Sequence, residues 1–267
     1  MALLDYLIKR ITLCITTIFV VVILEFFIFR LALGDPALLL GFGRLDNAQI
    51  EEMRRQMGLD LPLWQQFFVY MGNMFQGNFG YSFSTRNPVI NEIVYRLPNT
   101  LLLVGTSIFL AAFIGAFLGI QAADKHGRKA GGAILTCSLA LYAVPGFWLG
   151  TLFLFFFAFH LKMFPIGGTI SRPPPTELPL LVLDFLWHLV LPLTTMTTVT
   201  MGIYILTMRA SVLDELKQDY VILATAKGLK KRAVLYKHVL RNSMLPLVTF
   251  LAINIGAIFS GSVLVET

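Results

Sequence analysis

Histidine and cysteine, the side chains that most often bind transition metals, are few and scattered in this sequence of 267 residues. The four histidines lie in separate regions, and neither an H-E-x-x-H nor a C-x-x-C pattern occurs. Because a metal site needs several such ligands at suitable spacing, the sequence predicts none. Cys14 and Cys137 stand inside apolar runs and are interpreted as small core side chains. His188 is interpreted as a hydrogen-bonding residue near the end of an apolar segment.

Phosphate-binding and catalytic patterns are missing as well. The sequence has no G-x-x-x-x-G-K-[ST] loop, whose backbone amides and lysine would hold the phosphates of ATP. The chain is therefore not expected to hydrolyse ATP. No nucleophile with a neighbouring base is evident, so an enzyme that acts within a membrane is only a minor alternative.

The most distinctive polar stretch, residues 219–242, is basic and lies between two strongly apolar segments. The sequence predicts one helix over residues 214–227 and a second helix from Leu229 to Asn242. Gly228 stands between them, where a left-handed backbone conformation can end the first helix. The two helices would form a compact bend that carries small alanines, so that another surface could approach it closely.

Each of these two predicted helices has an apolar face. Such a segment between two membrane spans suits a docking surface for a soluble partner, and a basic helix held by anionic lipids is the alternative. A DNA-binding helix pair is disfavoured because both ends of the segment enter the bilayer. The predicted apolar positions are Val212, Leu216, Val221, Leu223 and Ala224 in the first helix, and Val234, Leu235 and Val239 in the second.

The composition places these elements in a membrane. Apolar residues make up 57% of the chain and charged residues only 13%, whereas a soluble domain carries about 25% charged residues. Segments of about 20 apolar residues can cross a bilayer, and the sequence therefore predicts an all-α, polytopic transmembrane helix bundle. The five predicted spans are residues 11–33, 100–123, 130–159, 186–208 and 244–265.

The basic residues predict the orientation. Thirteen of the 21 lysines and arginines lie before the first span, between the second and third, or between the fourth and fifth. These regions alternate with the others, so the positive-inside rule places them, and the N-terminus, in the cytoplasm. The net charge of +6 is therefore attributed to membrane topology rather than to nucleic-acid binding. The predicted domains are an N-terminal transmembrane helix (1–33), an extracytoplasmic loop (34–99) and a core transmembrane domain (100–267) with a cytoplasmic loop at 209–242.

The extracytoplasmic loop is expected to contain two helices, at residues 47–57 and 63–75. The first is expected to end at Gly58. The second is amphipathic and rich in aromatic residues, and it would lie along the membrane surface or cap the bundle. Glu25 and Arg30, in the outer half of the first span, are expected to reach the membrane surface or pair with another chain.

Two groups of residues are candidates for the route of a transported solute. Tyr142, Pro145 and Phe147 predict a kink in the third span, and pathways in transporters tend to lie near broken helices. Thr197 belongs to a threonine-rich part of the fourth span. These threonines can line a wet pathway or bond to helix backbones, and the sequence leaves both readings open.

Short motifs in a fixed order extend over the whole chain. The outer and middle parts contain GDP (34–36), GLDLP (58–62), GNFGYS (77–82), RLPNT (96–100), PGFWLG (145–150) and HLVLP (188–192). The basic segment contains QDYV (218–221), ATAKGL (224–229), HVLRN (238–242) and LPLVT (245–249). In these motifs the chain resembles the permease subunits of ABC importers of the dipeptide, oligopeptide and nickel subfamily. The general EAA signature of importers is poorly kept, since Ile222-Leu223-Ala224 stands in its place.

The resemblance implies a function and a set of partners. The chain would pair with a second permease subunit, two cytoplasmic ATPase subunits that bind ATP and Mg²⁺, and an extracytoplasmic solute-binding protein. It would bind no cofactor itself, and it would form half of a pathway for peptides, with nickel or oligosaccharides as alternative substrates. An ATP-independent transporter or channel is a remaining alternative of another class. Members of this family have a sixth span after a segment like residues 265–267, so a last span is expected beyond this sequence.

The resemblance also assigns residues to the contact with the ATPase. The basic segment corresponds to the coupling helix, which inserts into a groove of the ATPase and transmits its motion to the fourth and fifth spans. The residues carried over are Asp219, Tyr220, Ala224, Ala226, Lys227, Gly228, Leu229, His238, Arg241 and Asn242.

Overall fold

The computed structural model describes residues 2–32, 37–38, 46–56, 58–82 and 84–258, and these residues form helices and connecting turns without a β-strand. The predicted all-α class is confirmed. The first helices are α1 (Ala2–Ala32), α2 (Asn47–Gln56), α3 (Leu63–Phe75) and α4 (Val89–Asp124). They are followed by α5 (Lys129–Ala143), α6 (Gly146–Phe153) and a π-helical segment, Leu154–His160. The chain continues with α7 (Leu178–Glu215), α8 (Asp219–Ala226), α9 (Lys231–Ala233), a second π-helical segment (Val234–Val239) and α10 (Leu240–Ala257).

Four helical stretches are long and apolar enough to cross a membrane, and the bent pair formed by α5 and α6 makes a fifth if it is one span. This agrees with the five predicted spans. The fifth of these is the continuous stretch Lys231–Gly256, so it begins well before the predicted residue 244. The end of that predicted span, residues 259–265, and the motif at 34–36 lie outside the described residues.

The chain divides into two compact units, Met1–Tyr95 and Arg96–Thr267. In the first unit, α3 packs on the C-terminal half of α1 through aromatic side chains. The ring of Phe67 lies edge-on to Phe26, with 5.4 Å between centroids, and to Phe19, at 6.3 Å. Tyr70 also contacts Phe26. The exposed face of α3 carries Trp64, Phe68 and Phe75.

A single glutamine joins three parts of the first unit. The Nε of Arg30 donates to Oε1 of Gln66 at 2.6 Å, and Nε2 of Gln66 donates to the carbonyl oxygens of Leu59 and Leu61. Arg30 therefore bonds within its own chain, and its expected reach to the membrane surface or to another chain stays a prediction. The sequence could not indicate this partner, because the contact depends on how α3 lies against α1. The turn it supports follows Gly58, which ends α2 with a φ of +65°, as predicted.

In the second unit, α7 is the central helix. Its residues Tyr204, Met208 and Val212 are fully buried. Gly115 and Gly119 of α4 face Tyr204 and Met208, and a Cβ atom built on either glycine would clash with α7. Small residues spaced by four positions permit such close helix approach in membranes. The G-x-x-x-G spacing of these two residues is visible in the sequence.

The third span is broken at Pro145, which lacks the backbone N–H of a continuous helix. Its two parts, Lys129–Ala143 and Gly146–His160, meet at 99°. Both parts rest on α7: Gly202 approaches the backbone of α5 at Ser138, and Gly150 of α6 approaches the Thr195 side chain. The predicted kink is confirmed, and it is much sharper than an ordinary proline bend.

Candidate functional site

The candidate site is the elbow, defined as residues 216–230, which connects α7 to the last helical stretch. The sequence predicted one helix over residues 214–227, and this is wrong because α7 ends at Glu215 and α8 starts afresh at Asp219. The turn between them is closed by backbone bonds from Lys217 to Asp214 and from Gln218 to Glu215. The helix α8 is therefore a separate helix and not a continuation of α7.

Gly228 ends α8, as predicted. Its φ is +78°, in the left-handed region that glycine adopts without steric cost. Its N–H donates to the carbonyl of Thr225 at 2.9 Å, and the N–H of Leu229 donates to that of Ala224 at 3.4 Å. These two bonds form a Schellman motif, which satisfies the last carbonyls of the helix and turns the chain. The next helix starts at Lys231, two residues later than predicted.

One face of α8 is packed against its own chain. Val221 and Ala224 are buried in the same apolar cluster as Val212, Val234 and Leu235. These predicted apolar positions of both helices are therefore packed against the subunit itself. Ala224 thus faces the interior of the subunit, and its small side chain allows the close approach of α8 to the neighbouring helices rather than leaving space on the surface.

The opposite face of α8 is apolar but exposed. Ile222 and Leu223 are 60% and 57% exposed, and Ala226 lies on the same open side. The sequence predicted one apolar stripe that contains both Leu223 and Val221, and this is wrong. Successive residues of a helix differ by about 100°, so two residues that are two positions apart lie on opposite sides of α8. The adjacent apolar pair 222–223 could have indicated a helix that is apolar on two sides.

Tyr220 connects the elbow to both neighbouring spans. Its hydroxyl donates to Oε2 of Glu215, the last residue of α7, and accepts a hydrogen bond from Nδ2 of Asn242 at 3.2 Å. Partial burial and the bond to Glu215 raise the pKa of Tyr220 above its ordinary value of 10.0, while the bond from Asn242 acts in the opposite direction. The hydroxyl therefore keeps its proton, and its role as donor, throughout the physiological range.

The helices around the elbow are joined by further polar contacts. Ser211 Oγ of α7 donates to the carbonyl of Ser243 in α10 at 2.9 Å, and Ser243 is fully buried. Nζ of Lys231 lies 2.9 Å from Oδ1 of Asp124, so the start of the last helical stretch is tied to the end of α4. A pocket of about 280 Å³ lies beside this ion pair, with Leu216, Val221, Thr225 and Leu229 from the elbow in its wall.

The remaining predicted coupling residues lie on the surface. Asp219, Lys227 and Leu229 are exposed around α8, and His238 and Arg241 are exposed on the helical stretch that follows. Among the predicted coupling residues, Tyr220 and Asn242 contact each other through a hydrogen bond. Gly228 is bonded through its backbone to the end of α8.

The predicted pathway residues differ in their exposure. Tyr142, Pro145 and Phe147 are exposed around the break in the third span. Thr197 of α7 is instead buried, and among the described residues its hydroxyl has no hydrogen-bond partner.

The polar residues near the start of α7 bond to backbone, as one of the two readings predicted. Thr194 and Thr195 both donate to the carbonyl of Leu191. His188 Nδ1 lies 2.8 Å from the carbonyl of Asp184, so its predicted hydrogen bond is confirmed. Within the parts of the chain that the structure describes, no group of three or more His, Cys, Asp or Glu residues could hold a metal ion.

Comparison with known proteins gives a family for this arrangement. Residues 111–267 match the binding-protein-dependent transport system inner membrane component, and residues 3–104 match the N-terminal region of such components. The chain is 36% identical over 264 residues to the dipeptide transport system permease protein DppB of Lactococcus lactis subsp. cremoris MG1363, covering 98% of this chain and 81% of that protein.

Two other relatives are similar over the same extent. The oligopeptide transport system permease protein AppB of Bacillus subtilis 168 is 34% identical over 262 residues, covering 98% of this chain and 82% of its own. The glutathione transport system permease protein GsiC of Escherichia coli K12 is 36% identical over 264 residues, covering 98% of this chain and 81% of its own. The chain is therefore a member of the family of binding-protein-dependent transport system inner membrane components, and it is a multi-pass permease subunit of an ABC importer.

Proposed function

We propose that this subunit forms half of the membrane pathway of an ATP-driven importer of short peptides, with its N-terminus and its elbow in the cytoplasm. The complete importer would contain a second permease subunit, two ABC ATPases that bind ATP and Mg²⁺, and an extracytoplasmic binding protein. The names of three similar permeases support the substrate class, since dipeptides, oligopeptides and the tripeptide glutathione are all short peptides.

One observation carries the proposed contact with the ATPase: α8 has a second apolar face that its own chain leaves open. Ile222 and Leu223 project from a short helix that is anchored on its other side by Val221 and Ala224. An apolar face of this kind on a membrane protein marks a protein interface or a lipid contact. The lysines around the elbow support a cytoplasmic position, and an ATPase groove would cover the two side chains.

The docking face is tested by placing a charge on it. In the assembled importer, Leu223→Asp would put a carboxylate into an apolar interface, and we expect it to lower ATPase retention on a tagged permease by more than about tenfold. Phe75→Asp is the matched control, because Phe75 is 85% exposed on the segment assigned to the outside. Equal ATPase retention by wild type and Leu223→Asp would refute docking through α8.

The substrate class requires a separate assay. Proteoliposomes that contain the complete importer and its binding protein should accumulate radiolabelled alanyl-alanine only when ATP is supplied on the ATPase side. Accumulation of nickel ions or an oligosaccharide instead of the dipeptide would overturn the substrate assignment and leave the permease assignment in place.

A further inference from the structure

We propose that Tyr220 acts as a strut that makes the elbow move together with both neighbouring spans, rather than as a contact for the ATPase. This inference rests on the proposed function, because it concerns how motion of a docked ATPase reaches the membrane. The Tyr220 hydroxyl joins Glu215, at the end of α7, to Asn242, near the start of α10. Three separate helices therefore share one hydroxyl group.

Without these bonds, α8 would be attached to the neighbouring helices mainly by the apolar contacts of Val221 and Ala224. The helix has only eight residues, and isolated helices of that length are not stable in water. Apolar contacts are not directional, whereas hydrogen bonds require a defined position of donor and acceptor. The two bonds of Tyr220 therefore fix the placement of α8 relative to both spans.

The hydrogen bonds of Tyr220 lie next to another contact between α7 and α10. Ser211 and Ser243 are bonded across α7 and α10, with a Ser211 Oγ donor and a Ser243 carbonyl acceptor. Glu215 follows Ser211 by four residues, so both lie on the same side of α7, and Asn242 directly precedes Ser243. Tyr220 consequently extends an existing link between the two spans by one helical turn and attaches α8 to it.

The protonation of Tyr220 suits this role. Its pKa is raised by burial and by the acceptor Glu215, so the neutral hydroxyl can donate to one partner and accept from the other across the physiological range. An ionised tyrosine could not donate to the Glu215 carboxylate. The ring remains partly exposed, and for this reason the test must separate a strut from a docking residue.

The first measurement is hydrogen exchange of the α8 amides in the reconstituted importer. Tyr220→Phe removes both hydrogen bonds of the hydroxyl and should increase the exchange of these amides at least about fivefold. Tyr236→Phe is the matched control, since Tyr236 lies in the next helical stretch with its ring beside Arg232. Unchanged exchange in Tyr220→Phe would overturn the strut. This readout follows the amides of α8 and not the retention of the ATPase, so its failure is distinct from failure of the proposed docking.

The second measurement is dipeptide uptake per ATP hydrolysed. Tyr220→Phe should retain its ATPase subunits and their activity but lower alanyl-alanine uptake per ATP at least about threefold. Glu215→Gln keeps an acceptor oxygen and should remain near the wild-type ratio, whereas Glu215→Leu and Asn242→Leu should behave like Tyr220→Phe. Loss of ATPase retention in proportion to uptake in Tyr220→Phe would identify Tyr220 as a docking contact and overturn the inference.

Discussion

Gly119 of α4 lies so close to Met208 of α7 that a Cβ atom on the glycine would be 2.7 Å from the Cβ of Met208. The same atom would lie 2.8 Å from the carbonyl oxygen of Ile205, which belongs to the backbone and cannot rotate away. The approach of these two spans therefore depends on the missing side chain.

Gly119→Ala is expected to destabilise the subunit by about 1–3 kcal/mol, because the added methyl group forces α4 and α7 apart. Gly105→Ala is the control in the same helix, where a Cβ would meet no atom within 4 Å. That control should be neutral or slightly stabilising, since alanine favours helices. Thermal unfolding in detergent, followed by size-exclusion chromatography, would compare the two variants. Equal stability would contradict the packing described for this interface.

Gly228→Val should disturb the elbow without creating a clash. A Cβ at this position meets no atom within 4 Å, but the φ of +78° disfavours a side chain. The left-handed backbone should cost about 1–2 kcal/mol, and more for a branched residue. We expect lower uptake per ATP in Gly228→Val and near-normal uptake in Gly228→Asn, because asparagine tolerates this conformation. Normal coupling in Gly228→Val would argue against an elbow fixed by this turn.

Ser211→Ala should lower the thermal stability of the subunit by about 0.6 kcal/mol, the average contribution of an interhelical hydrogen bond in membrane proteins. The substitution removes the hydroxyl of α7 that donates to the backbone carbonyl of Ser243 in α10. Thermal unfolding in detergent would compare the variant with the wild type. Equal stability of the two proteins would contradict a stabilising bond between these helices.

Gln66→Leu should loosen the attachment of α3 to α1. The substitution removes the acceptor for Arg30 and the donors to Leu59 and Leu61. We expect faster hydrogen exchange across residues 58–66, by about tenfold or more, because several bonds are lost together. Gln65→Leu, at the neighbouring position of the same helix, serves as the control. Similar exchange in both variants would contradict the joining role of Gln66.

The sequence was most informative where a residue type imposes a local conformation. Gly58 and Gly228 end helices as predicted, and Pro145 breaks the third span. It was least informative where the outcome depends on the relative placement of elements. Leu223 was assigned to the wrong face because the break after Glu215 was not foreseen.

The hydrogen bonds between helices could not be predicted from the sequence for the same reason. Gln66 and Tyr220 have no special motif around them, and their roles follow from helices that meet only in the folded chain. The glycines of α4 are an intermediate case, since their four-residue spacing is present in the sequence and a search for close helix contacts would have identified it.

The last helical stretch, Lys231–Gly256, has 26 residues, starts after the elbow and includes the π-helical segment Val234–Val239 and Pro246. At 1.5 Å per residue it is about 39 Å long, so a tilt of about 10° at the elbow would carry the far end through about 7 Å. That distance is comparable to the width of a small peptide backbone with its side chains. The ion pair of Lys231 with Asp124 ties the elbow end of this stretch to α4, so a tilt about that end would displace the opposite end most.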